Sequence, residues 1–81
     1  MSFTPELIAE LEVLTLFNLD STKEGIKVHN TAPQHLIDAA KRLYDKELTD
    51  QPDGGYLTQL GHDAAENVQQ LLTILKAAQP A

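Results

Sequence analysis

Pro52-Asp53-Gly54-Gly55 is the stretch that most limits how this chain can fold. Proline sets φ at the first corner, aspartate bonds its own backbone, and glycine supplies φ > 0, so the chain must reverse here. The flanking residues, Leu48-Thr49-Asp50-Gln51 and Gly55-Tyr56-Leu57-Thr58, then read as two strands of a short hairpin at about 48–58. Thr58 ends the hairpin and caps the helix that follows. Gly61 falls in that helix's first turn, where a missing side chain lets the hairpin pack closely.

Helices surround the hairpin. The first spans about 4–18: Thr4 is an N-cap, Pro5 suits the first helical position, and Glu6 favours the positive end of the dipole. Leu7, Leu11 and Leu14 form one stripe with Ile8 beside it, while Val13, Leu14, Leu16 and Phe17 point in nearly every direction. Ser21 and Glu24 make a capping box for a short helix at about 21–28, weakened by Gly25. The alternation of Gly25 to His29 supports a strand as the rival reading. Thr31, Pro33 and Gln34 form a second start signal for a helix at about 32–47. There Leu36, Ile37, Ala40, Leu43 and Tyr44 turn inward, and Gln34, His35, Asp38, Lys41, Arg42, Asp45 and Lys46 turn outward. A last helix at about 59–78 presents Leu60, Ala64, Ala65, Val68, Leu71, Leu72 and Leu75 and ends in a frayed Gln79-Pro80-Ala81. The expected architecture is mainly α with one β-hairpin: four helices in a single domain over residues 1–81.

With 81 residues and no cysteine, packing alone must hold the fold, with association as the available supplement. The N-terminus lacks the basic start of a secretory signal, and no apolar run approaches a membrane span, so a cytoplasmic protein that meets no membrane is expected. Twelve acids against six bases give a formal charge of −6, which discourages non-specific contact with phosphate backbones. Residues 21–46 are the exception. Lys23, Lys27, Lys41, Arg42 and Lys46 outnumber Glu24, Asp38 and Asp45 there, leaving that segment locally +2.

The order helix, short helix, helix, hairpin, helix resembles a winged helix-turn-helix domain. The run Leu43-Tyr44-Asp45-Lys46-Glu47-Leu48-Thr49, followed by the hairpin and Tyr56-Leu57-Thr58-Gln59-Leu60-Gly61, is similar to bacterial regulators of the multiple-antibiotic-resistance type over about residues 31–65. Glu47 stands where those regulators exit the recognition helix with glycine. The whole chain also resembles a family of small uncharacterised bacterial proteins that share the Asp-Gly-Gly-Tyr-Leu-Thr segment. The winged-helix resemblance implies a third helix that enters the major groove of double-stranded DNA, with Gln34, His35, Lys41 and Arg42 as contacts. Asp38 lies inside that face, and Asp50 and Asp53 occupy the wing, where basic residues would serve better.

Other chemistry finds little footing. His29, His35 and His62 lack metal-ligand spacing. Glu47, Asp50 and Asp53 sit at a solvated hairpin, where no cleft perturbs a carboxyl group for acid–base work. Gly54-Gly55 lacks the context of a phosphate loop. No enzyme activity and no cofactor are expected. The apolar excess is the more informative feature. Leu71, Leu72, Ile74 and Leu75 span about 160° of helix. With Val13, Leu16 and Phe17 they are expected to form an interface, most simply a homodimer. Two functional classes follow: a DNA-binding transcriptional regulator, and an acidic module that binds a protein partner.

Overall fold

The computed structural model describes residues 3–20 and 24–77. Ser21 of the expected capping box, the start of the expected 21–28 helix and the Gln79-Pro80-Ala81 tail lie outside the described residues. The elements in chain order are α1 (Pro5–Leu14), β1 (Ile26–Lys27), α2 (Gln34–Asp45), β2 (Thr49–Gln51), β3 (Gly54–Leu57) and α3 (Gln59–Ala77). Three helices thus pack with one small antiparallel sheet of strand order β1-β3-β2.

Two of the expected caps form, at Thr4 and Thr58. Thr4 Oγ1 accepts the Leu7 N–H at 3.1 Å at the start of α1. Thr58 Oγ1 accepts the Gly61 N–H at 3.0 Å at the start of α3 and donates to the Glu47 carbonyl at 2.7 Å. One hydroxyl therefore ties α3 to the exit of α2. Gly61 is required by close approach: a Cβ there would sit 1.8 Å from the Leu48 carbonyl oxygen. The hairpin turn needs its glycines for a different reason, since Gly54 and Gly55 both hold positive φ, at 122° and 71°.

Two expected helix boundaries shift. The helix expected over about 32–47 begins instead at Gln34. Pro33, at φ −54° and ψ 139°, is its N-cap, and no side chain bonds the first turn. Proline's ring sets φ but not ψ, and the extended ψ at Pro33 delays the helix past Thr31. Gln34 Nε2 donates to Asp38 Oδ1 at 2.9 Å and does not reach back to Thr31. α1 also ends early: the Thr15 N–H bonds both the Leu11 and Glu12 carbonyls at 3.1 Å, tightening the last turn.

The described part of the expected 21–28 helix is a strand, the rival reading of the sequence. Ile26 pairs with Gly55 and Lys27 with Gly54, and the Val28 N–H reaches the Asp53 carbonyl at 2.7 Å. The physical reason lies across the sheet. Gly54 carries no side chain, and a Cβ there would meet the Ile26 carbonyl oxygen at 2.7 Å. Gly54 thus clears room for β1, and the ladder bonds outweigh a weak local helix preference.

The core is small and rich in alanine. Ala9, Val13, Leu14, Phe17, Ala39, Leu43 and Ala65 form it, with Leu36, Leu48, Leu57 and Val68 packed against it. Alanine at the helix contacts lets the axes approach closely. Of the expected stripe of Leu7, Leu11 and Leu14 with Ile8 beside it, α1 buries Leu14 alone, because Ala9 and Val13, with Phe17 just beyond the helix, meet the core instead. Tyr44, expected inward, is exposed.

Candidate interaction surfaces

The basic residues of α2 do not form one outward face. Glu10 of α1 is 5% exposed and lies between two cations, Arg42 of α2 and Lys46 at its C-cap. Arg42 Nε donates to Glu10 Oε2 at 3.2 Å, and Arg42 Nη2 donates to the Glu6 carbonyl at 3.1 Å. Lys46 Nζ bonds Glu10 Oε1. His35 Nε2 lies 3.4 Å from Glu12 Oε2. Positions 35, 42 and 46 share one side of a helix at 100° per residue, and that side is turned to α1. A carboxylate so nearly buried requires such partners, because leaving it unpaired costs several kcal/mol.

Of the four residues expected to read DNA, His35 and Arg42 therefore face the acids of α1, and Gln34 is bonded to Asp38. Among the described residues, Lys41 alone of the four has no side-chain hydrogen bond or ion pair. It borders a hollow between α2 and the hairpin, with Val28, Gln51 and Asp53. The side of α2 opposite the core carries Gln34, Asp38, Lys41 and Asp45, one base against two acids.

The hairpin acids are structural or solvated. Asp50 Oδ1 accepts the Tyr56 N–H at 2.8 Å, and this contact holds the two strands in register. Among the described residues no cluster of three His, Asp or Glu side chains can hold a metal ion. His62 lies 3.8 Å from Glu66 one turn on, and Asp63 accepts from Gln59 at 3.2 Å.

The interface residues separate into two groups. Val13 and Phe17, expected at an interface, are core residues at 0% and 3% exposure, because α1 turns that side to α2 and α3. Leu16, Leu71, Ile74 and Leu75 are each more than half exposed, and Leu72 is half-buried. Ile74 turns towards a shallow hollow beside Leu19 and Asp20. Leu71 and Leu72 instead join Val68, Ile8 and Leu11 along an apolar groove of about 330 Å³ between α1 and α3. Among the described residues no helix is long and apolar enough to cross a membrane.

Glu10 is the residue that sequence reasoning missed. Its signal was present: an acid on the Ala9–Val13 side of α1, and two bases four residues apart, Arg42 and Lys46, on one side of α2.

Fold and surfaces together define a small α-helical domain with a three-stranded sheet, an ion cluster between α1 and α2, and an apolar groove between α1 and α3. The chain belongs to a family of unknown function, DUF5669, whose model matches residues 1–76. No curated protein and no solved structure matches it.

Proposed function

We propose that this chain is a protein-interaction module on a winged-helix-like scaffold and that it does not read DNA. The order α1, β1, α2, β2, β3, α3 parallels a winged helix, with β2 and β3 as the wing. It differs in one element. A helix-turn-helix needs two helices joined by a tight turn, and the chain from β1 to β2 holds one helix, α2.

The observation that carries the reading is the docking of Arg42 and Lys46 on buried Glu10. Binding phosphate would require Arg42 to leave a nearly buried carboxylate, which opposes contact with DNA. The outward side of α2 carries more acid than base, and the wing adds Asp50 and Asp53. The overall charge of −6 repels a polyanion further. In the alternative reading, a DNA-binding regulator, Gln34, His35, Lys41 and Arg42 remain the contacts. Titration of a labelled random duplex at low salt, about 50 mM, separates the two. No binding at micromolar protein is the expected result. Affinity that falls steeply as salt rises establishes the regulator instead.

A further inference from the structure

The groove between α1 and α3 is lined by Ile8 and Leu11 on one side and Val68, Leu71 and Leu72 on the other, with Glu12 and Thr15 at its α1 edge. Leu7 and Leu75 continue the same two rows by one turn. Leu7, Ile8 and Leu11 are between 36% and 46% exposed, and Leu71 and Leu75 exceed 50%. Apolar side chains exposed side by side on two helices mark an interface rather than scattered surface residues.

Charge indicates what covers it. From Asn67 to Leu75, α3 carries no charged residue, although the chain as a whole is −6. A basic partner would be drawn to acids along the rim; α3 offers none along this row, and Glu12 at the α1 edge lies 3.4 Å from His35 of its own chain. A second copy bears the same −6 and is repelled everywhere except where charge is missing. Loss of charged residues from the centre of the patch is also the compositional mark of an interface core. The area is adequate. A standard interface covers about 800 Å² per partner, roughly one seventh of the 5772 Å² surface. Two adjacent helices about 10 Å apart, one of them 19 residues long, present a face of several hundred square ångströms.

We propose that a second copy of this chain covers the groove in a two-fold dimer, with α1 and α3 of one protomer packed on the same pair of its partner. The proposal rests on the interaction reading above and names its partner. The arrangement is isologous: Leu71 of each protomer enters the other's groove. Burying these rows makes a four-helix layer of the kind helices form when their apolar stripes are shared.

Sedimentation equilibrium of the full chain, at concentrations on the order of 100 μM, tests it. The expected mass is twice 8.9 kDa. Leu71→Asp weakens association by about tenfold or more, as loss of a central anchor does. Because Leu71 is 56% exposed in one chain, that variant keeps its far-ultraviolet circular dichroism. Tyr56→Ser, on the hairpin, leaves the dimer intact. A monomer at every concentration overturns the proposal, and so does a dimer that Leu71→Asp does not weaken. The duplex titration reads the other question: a monomer that ignores DNA removes only the second copy, while a dimer that binds DNA removes the interaction reading.

Discussion

Glu47 holds φ at 66°, in the left-handed region that glycine normally occupies. It does so because it completes a Schellman motif at the end of α2: the Glu47 N–H bonds the Tyr44 carbonyl, and the Leu48 N–H bonds the Leu43 carbonyl, both at 2.9 Å. Leu43 and Leu48 supply the apolar contact that accompanies this motif. A side chain in this conformation costs about 1–2 kcal/mol, and glycine returns part of that gain through its freer unfolded state. Glu47→Gly is therefore expected to stabilise the protein by about 1 kcal/mol, read as a higher urea midpoint with unchanged slope. At Glu10 the sign reverses. Arg42→Ala leaves a carboxylate that is 5% exposed with Lys46 as its one remaining ionic partner among the described residues, and is expected to cost about 1–3 kcal/mol. Glu10→Gln is expected to cost less, because Lys46 is half exposed and can turn to water. Urea unfolding of both variants gives the order; equal losses would mean that the pair acts only through its packing.

At the scale of elements, α3 is joined to the sheet through Thr58 and Gly61. Thr58→Ala removes both the cap and the bond to the Glu47 carbonyl, an expected loss of about 1–2 kcal/mol. Gly61→Ala does more. Its Cβ falls 1.8 Å from a backbone oxygen, so hairpin and helix must part, at roughly 3 kcal/mol. Thermal unfolding followed by circular dichroism ranks the two, and a Gly61→Ala variant as stable as the parent would show that the hairpin can shift freely. These positions were legible in the sequence from local signals, a threonine three residues before a bonded N–H and a glycine in a first turn, although the atoms they meet, the Glu47 and Leu48 carbonyls, lie across the hairpin. β1 was not legible to the same degree. Ile26 and Lys27 pair with residues far along the chain, and local propensity carries no information about such a partner. The end of α2 lies between these cases. The departure from glycine at Glu47 was visible, but only the backbone shows that the left-handed conformation is kept.

At the scale of the whole molecule, a dimer through α1 and α3 makes stability depend on concentration. The thermal midpoint is expected to rise by about 4 °C for a tenfold increase in protein where the dimer dominates. Differential scanning fluorimetry over two decades of concentration measures it, and a flat midpoint speaks against association. The basic centre of the sequence has a different outcome at this scale. Arg42 and Lys46, two of its five bases, are directed to a buried acid of α1 and not to a shared outward face.

The sequence by itself determined the hairpin, the helix starts at Thr4 and Thr58, the close contact at Gly61 and the apolar excess of α3. All of these follow from backbone chemistry or helical periodicity within a few residues. Tertiary structure alone decided which side of α1 is buried, whether the chain before α2 pairs with the hairpin, and where the charges of α2 point. The reason is physical. Leu7, Ile8 and Leu11 are as apolar as Val13 and Phe17, and periodicity registers both sets. Only the short alanine contacts with α2 and α3, together with the demand of Glu10 for two cations, turn Val13 and Phe17 inward and leave Ile8 and Leu11 facing the groove.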